Sequence, residues 1–468
     1  MFMFSRSTYT IRRDKLLSQI NSGLILMLGN DEIPMNYSGN TYRFRQDSTF
    51  LYYFGLDLPG LAAVMDTESN EIIIFGDDPD LDDIIWMGPQ SSLKDQAGQV
   101  GVSNTQPSNN LIKVIDKAIH DDRVIHFLKP YREKQFYQLT SLLGIEKENI
   151  STAVSNALVA AIIEQRSIKS TEEIEEIEKA HAITYDMHTI AMRMARAGIY
   201  ERDIAGTIEG IALSAGASTS FQVILSIRGE ILHNTHYGNL LHDGDMILND
   251  SGAETVMHYA ADITRTFPVS GQFTEKQRDI YEIVLKSQVE AIQAVKPGQN
   301  NKDIHLQTAR VITEGLQNLG IMKGNLEDAV QMGAHALFFP HGLGHMLGLD
   351  VHDMENLGED KVGYNNEVKR SEQFGLAALR FAKKLQPGYV ITIEPGIYFI
   401  PELIKKWKNE KKHTNFINYD QVGKYINFGG IRIEDDVVVT DNGSRVIGKS
   451  IPKTVAEIEK ICQETRKV

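Results

Sequence analysis

Four carboxylates stand inside runs that otherwise read as buried strand: Asp250 in MILNDSG, Asp262 in AADITRTF, Glu394 in VITIEPGIY and Glu434 in GGIRIEDDVVV. Short β-branched runs bounded by glycine, aspartate or proline mark strands with little water on either face. A carboxylate placed there needs a counter-charge or a proton. The even separation of Asp250 and Asp262, across Ser251 and Gly252, suits two strands of a bent hairpin that aim both carboxylates at one point. In 431–440, alternation puts Ile431, Ile433, Val437 and Val439 on one face and Arg432, Glu434 and Asp436 on the other. Simpler pairings remain open: Asp250 closing a turn, Asp262 paired with Arg265, Glu434 paired with Arg432 or Arg265, Glu394 preceding a Pro-Gly turn.

A second unusual stretch is FFPHGLGHMLGLDVHD, with His341, His345 and His352. His341 and His345 are four apart, the spacing of a zinc-binding helix. However, no glutamate follows His341, and Gly342, Gly344 and Gly348 each penalise a helix by about 1 kcal/mol. Glycines at this density suit backbone running close to a ligand or another strand, with imidazoles delivered singly into a site. Each histidine alone fits a structural role; three of the chain's 14 within a dozen residues point to a site. His233 in EILHNTH lies shortly before the first aspartate. Four carboxylates and a histidine make a hard, oxygen-rich ligand set suited to two divalent ions such as manganese.

The organisation of the chain frames these residues. At 468 residues and 42% hydrophobic content it has room for two or three domains with substantial cores. Apolar runs at 23–29, 48–56, 61–66, 71–77 and 123–128 read as strands. Helices fit around 90–122 and 132–144, giving an α/β domain over 1–165. An opening helix carries Leu16, Leu17 and Ile20 on one side. At 166–179, RSIKSTEEIEEIEK offers Ser170 and Thr171 as a cap to an acidic first turn. The helix that follows repeats Ile174, Ile177, Ala180, Ile183 and Met187, with a second helix near 201–215. Strands return from about 221 in two separated groups, so 166–468 reads as an α+β domain. The run KKWKNEKKH (405–413) reads as a solvated loop.

Composition excludes some partners. With 62 acidic against 48 basic residues, the formal charge of -14 argues against nucleic acid. The single cysteine, Cys462, excludes an internal disulfide framework and a cysteine-rich zinc module, and fits a reducing compartment. No stretch approaches the run of about 20 apolar residues that a membrane-spanning helix needs. The basic start lacks the apolar core and cleavage site of a secretory signal, so a cytoplasmic location is expected.

In order and wording, ILNDSG, ADITRTFPV, HGLGHMLGLDVHD, TIEPGIY and GIRIEDD resemble the aminopeptidase P and prolidase branch of the pita-bread metallopeptidases, and RFRQDSTFLYYFGL (43–56) resembles the signature of its creatinase-type amino-terminal domain. The resemblance implies a creatinase-like α/β domain followed by a pita-bread (creatinase/aminopeptidase) catalytic domain. It implies Asp250, Asp262, His345, Glu394 and Glu434 as ligands of two divalent metals, with Asp262 and Glu434 bridging. Manganese is the first choice of metal, with zinc, cobalt or iron as alternatives. His233, His341 and His352 match histidines lining the substrate site, Arg432 an arginine supporting the metals, and Tyr398 a tyrosine beside them.

The implied activity is metal-dependent hydrolysis of the bond between a first residue and a following proline, by a hydroxide bridging the metals. Glu394 would act as general base, His341 or His233 would meet the carbonyl oxygen, and His352 would steady the substrate. Partners would be peptides with proline second and further copies of the chain, as a dimer or tetramer. A prolidase acting on dipeptides shares every ligand. Methionine aminopeptidase ordinarily lacks so large a front domain, and a non-catalytic pita-bread binding protein would typically have lost ligands. Against the commoner aminopeptidase P pattern, one extra residue lies between Asp250 and Asp262, expected as a bulge. Longer stretches at 354–386 and 400–427 are expected over the rim of the site. His236 has no counterpart, and Trp86 matches either a residue lent to a neighbouring subunit or a core tryptophan.

Overall fold

Ser170 and Glu173 close a reciprocal capping box, and the helix they start runs Thr171–Met194. Here the chain changes character. The computed structural model describes residues 3–464, and the chain divides into two units, Met1–Arg166 with Asn356–Gly358, and Ser167–Glu355 with Glu359–Val468.

In the first unit a five-stranded sheet runs in the spatial order Asn104–Gln106, Ile72–Phe75, Ala62–Asp66, Leu24–Leu28, Ile125–His126. The two edge pairings are parallel and the inner two antiparallel. Leu24, Leu26, Val64 and Phe75 pack with Ile115, Leu139 and Ile150 of the covering helices. Leu16 and Leu17 are buried on the opening helix Arg6–Gln19, with Ile20 at its C-cap.

The run at 48–56 is not a strand. Ser48–Phe54 is a helix, with the Asp47 side chain accepting from Phe50 N and Gly55 ending it in the left-handed region at φ 63°. All seven residues are buried, so the run has no polar face to reveal its period; only the caps distinguish it from a strand.

The second unit wraps helices around two three-stranded sheets. One orders Ile263–Pro268, Met246–Ser251 and Ile224–Ser226; the other orders Val390–Ile393, Asp435–Val439 and Ser444–Val446. Gly396–Tyr398 pairs separately with Gly430–Arg432. Helices Thr171–Met194, Glu201–Ser214, Glu275–Ala294 and Asn301–Asn318 bury their apolar faces in a core with Ile247, Phe267 and Ile431. Three expectations change here. The run 431–440 is two strands in different sheets, every residue through Val439 buried, so alternation does not separate a wet face from a dry one. Met246–Ser251 and Ile263–Pro268 pair over six residues without a register shift, so no bulge interrupts that ladder; the connection between them carries a turn with His258 at φ 66°. The lysine-rich run is largely helix: Pro401–Asn409 starts on a proline and buries Ile404 and Trp407 while its lysines face water.

Candidate metal centre and active site

Strand ends bring the four carboxylates together. Asp250 lies on Met246–Ser251 opposite Thr264, and Asp262 directly precedes the partner strand. Glu394 follows Val390–Ile393, and Glu434 sits where the chain passes from Gly430–Arg432 to Asp435–Val439, its N–H donating to Thr264 O at 3.1 Å. His345 is held against Thr392 by a bond in each direction, His345 N to Thr392 Oγ1 at 3.1 Å and Thr392 N to His345 O at 3.0 Å. A Cβ on Gly344 would fall 1.9 Å from Thr392 O, which is why only glycine lets this loop lie on that strand.

Asp250, Asp262, His345, Glu394 and Glu434 all line one cavity of about 460 Å³, with His233, His341, His352 and Arg432 around them. Tyr398 is fully buried behind the wall. Phe221, Ile224, Leu232 and Val351 form an apolar side. Ligand atoms of Asp262, His345 and Glu434 lie within 4.8 Å of one another.

Charge in this cluster is unbalanced. Arg432 pairs with Asp250 through Nη2, donates to Tyr398 Oη at 2.8 Å through Nη1 and to Thr264 Oγ1 at 3.0 Å through Nε. Thr264 Oγ1 in turn donates to Glu434 Oε2 at 2.7 Å. Arg265 takes no part: it donates to Glu434 O and pairs with Asp435 at 2.6 Å, so the alternatives that paired it with Asp262 or Glu434 do not hold. One guanidinium therefore faces four carboxylates. Burial and the charges of Asp250, Asp436 and Glu394 raise Asp262 well above the usual carboxylate range. Burial with Asp262, Glu394 and Asp250 does the same to Glu434, and burial raises Glu394.

His345 sharpens the point. Its Nδ1 lies 3.0 Å from Met346 O, a carbonyl that can only accept, so Nδ1 carries the proton and Nε2 presents a lone pair. That lone pair faces Asp262 Oδ2 at 3.4 Å and Glu394 Oε1 at 3.7 Å. Acceptors facing acceptors need a cation or a proton between them. Asp250 Oδ1 and Asp262 Oδ1 are also buried without a hydrogen-bond partner among the described residues. The donor set fits divalent metal ions.

The remaining histidines differ in freedom. His341 donates Nδ1–H to Gly342 O at 2.8 Å and accepts from Tyr398 Oη at Nε2, 2.9 Å away. Burial, then Arg432, lowers its pKa to about 3, so it is neutral at pH 7. Burial and His345 lower His352 to about 4; its Nδ1 meets Glu355 at 3.1 Å. His233 is exposed to the cavity and makes no hydrogen bond among the described residues.

The stretch 354–386 contributes Ala378 and Arg380 to the wall, whereas nothing from 400–427 lines it: Ile404, Trp407, Phe416 and Val422 belong to the core instead. His236 stays out of the cavity wall. Trp86 is 82% exposed, which excludes the core reading. Arg380, missed in the sequence, pairs with Glu355 at 2.7 Å and Glu359 at 3.0 Å; a lone charged residue in a stretch without regular strand or helix patterning gives no periodic signal. Thr264 was also missed, although it stands two residues after Asp262, on the strand that Asp262 leads into.

Residues 175–441 match Metallopeptidase family M24 and residues 9–126 match Aminopeptidase P, N-terminal domain. The chain is 33% identical to Xaa-Pro dipeptidase of Homo sapiens over 94% of its own length and 89% of that protein. It is 30% identical to Xaa-Pro aminopeptidase of Escherichia coli strain K12 over 100% of both. Zinc-substituted E. coli aminopeptidase P in complex with product matches with a TM-score of 0.82 at 30% identity, covering 100% of both chains. With the family match spanning residues 175–441 behind an aminopeptidase P amino-terminal domain, and an acid-rich candidate metal site on this scaffold, the chain belongs to Metallopeptidase family M24.

Proposed function

We propose that this protein is a metal-dependent Xaa-Pro aminopeptidase, which releases the first residue of a peptide whose second residue is proline. The observation that carries this reading is the lone pair of His345 facing Asp262 at 3.4 Å within an acid excess that lines the cavity. Asp250, Asp262, His345, Glu394 and Glu434 would hold two divalent ions; oxygen donors and one imidazole favour manganese, with zinc, cobalt or iron set by supply. When bound, such ions polarise a carbonyl and bring the pKa of a water near neutrality.

The chain's own groups do the rest. Glu394, held at Oε1 by Thr392 Oγ1 at 3.3 Å, takes the proton of the attacking water at Oε2 and returns it to the departing proline nitrogen. His233, with no hydrogen-bond partner among the described residues, is the better-placed donor to the scissile carbonyl. His341 acts through Tyr398, whose hydroxyl joins it to Arg432, and so keeps Asp250 in place. His352 steadies the peptide further along. The proline ring, whose nitrogen carries no hydrogen, fits the apolar side formed by Phe221, Ile224 and Leu232. Manganese-loaded protein should release glycine from Gly-Pro-Xaa peptides; no hydrolysis of Gly-Pro-Xaa or Gly-Pro would overturn the reading.

A dipeptidase is the second reading, favoured by Arg380 in the wall, whose guanidinium could take a dipeptide's terminal carboxylate. Glu355 and Glu359 already balance that charge, which favours longer substrates. Cleavage of Gly-Pro alone would reverse this preference. A non-catalytic binding protein is disfavoured because all five ligand residues are kept.

The domain boundary is read at 165/166, supported by the division of the chain after Arg166. The helix Leu81–Met87 buries none of its residues and exposes Leu81, Ile85, Trp86 and Met87, which supports a homo-oligomer meeting there. No described helix is long and apolar enough to cross a membrane. The single cysteine supports a cytoplasmic location.

A further inference from the structure

We infer that the buried ion pair between Lys169 and Asp353 fixes the positions of His345 and His352, making both members positioning residues for the site. Lys169 Nζ lies 2.8 Å from Asp353 Oδ2, and each side chain is 1% exposed. Asp353 directly follows His352, and its other oxygen accepts from Asp350 N at 3.3 Å. Its backbone N–H donates to Met346 O at 2.9 Å, the same carbonyl that takes the Nδ1 proton of His345. One carbonyl thus ties Asp353 to the tautomer and tilt of the ligand imidazole. The rings of His345 and His352 lie 4.0 Å apart, in contact with one another.

Lys169 comes from outside this loop and is itself anchored, its N–H donating to Gly388 O at 2.8 Å. The loop is shaped around the pair: a Cβ on Gly348 would stand 2.7 Å from Asp353 Oδ2 and 2.9 Å from Lys169 Cε. This explains two residues of the GLDVHD stretch that hold no metal and touch no substrate in the proposed reaction. The inference rests on the reading of His345 and His352 as site residues.

A role in stability alone would give the same burial, so the test separates the two. Lys169→Met with Asp353→Asn removes both charges while keeping an acceptor for Asp350 N. Asp353→Glu keeps the pair but shifts it by one methylene, and it decides the matter if the double variant does not fold. Positioning predicts folded variants whose manganese Kd rises about tenfold or more and whose His345 and His352 imidazole NMR shifts move, both with and without metal. Folded variants with wild-type Kd and wild-type shifts would overturn the inference. Wild-type protein that binds no manganese would instead sink the metal reading, and the imidazole shifts of the metal-free variants would still decide the role of the pair.

Discussion

Glu434 and Asp435 are neighbours in sequence, both carboxylic acids, both buried, and they meet opposite electrostatic surroundings. Burial pushes both upward. At Asp435 the charges of Arg265 and Lys453 overcome it and hold the group far below the usual range; Gln288 Nε2 adds a bond at 2.8 Å. At Glu434 the neighbours are Asp262, Glu394 and Asp250, which add to the effect of burial. One carboxylate is a finished ion pair. The other belongs to a site that is electrostatically incomplete without cations, and a single peptide step separates structural from functional acidity.

The largest effect that could break this contrast is at Glu434. Glu434→Gln should lower kcat/KM on Gly-Pro-Xaa by about 10³-fold or more, several kcal/mol of barrier, because on the proposed reading Glu434 is a metal ligand. The metal-free variant should melt no lower than metal-free wild type, since a repelling charge has gone. A lower melting temperature would mean that Glu434 is structurally paired after all. Asp435→Asn is the mirror experiment. Breaking a fully buried pair should destabilise by about 3–5 kcal/mol in denaturant unfolding, with or without metal; a change under about 1 kcal/mol would erase the distinction.

Solution pH reads the same contrast through linkage. The folded-state pKa of Glu434 and Asp262 is raised, so the folded metal-free protein binds more protons than the unfolded chain. Stability from these groups is therefore present below the unfolded values, about 4, and falls as pH rises through the raised folded values. Manganese should abolish that decline. Asp435 has the opposite sign: its contribution is present above about 4 and is lost as pH falls through its lowered folded value. Unfolding free energies of metal-free protein that rise steadily with pH above 5 would contradict the first half. The smallest effect is expected at Thr264, whose hydroxyl lies between Arg432 and Glu434. Thr264→Val should cost about 10-fold in kcat/KM with manganese Kd weakened by a similar factor.

The carboxylates were legible in the sequence because an acid inside an apolar run contradicts its surroundings. Their partners were not. Whether Arg265 meets Asp262, Glu434 or Asp435 depends on register and on which sheet each strand joins, and the alternation over 431–440 does not tell it, because the run is split between two sheets and is buried through Val439. The same absence of a polar face hid the helix Ser48–Phe54, for which Asp47 and Gly55 were the readable signs. The lysine-rich run misled in the other direction. Charge counted over 405–413 masked the one-turn spacing of Ile404 and Trp407, which face the core.

Arg432 has a further consequence. Its guanidinium touches Asp250, Thr264 and Tyr398 at once, and Tyr398 passes the connection to His341. Substitutions along this path remove one shared arrangement rather than separate contributions. Tyr398→Phe made in a protein already lacking Arg432 should add little to the loss, and a double-mutant cycle between them should return a coupling of about 0.5–3 kcal/mol. The five side chains are expected to respond to mutation as one unit, so no single one of them can be assigned its own share of the rate.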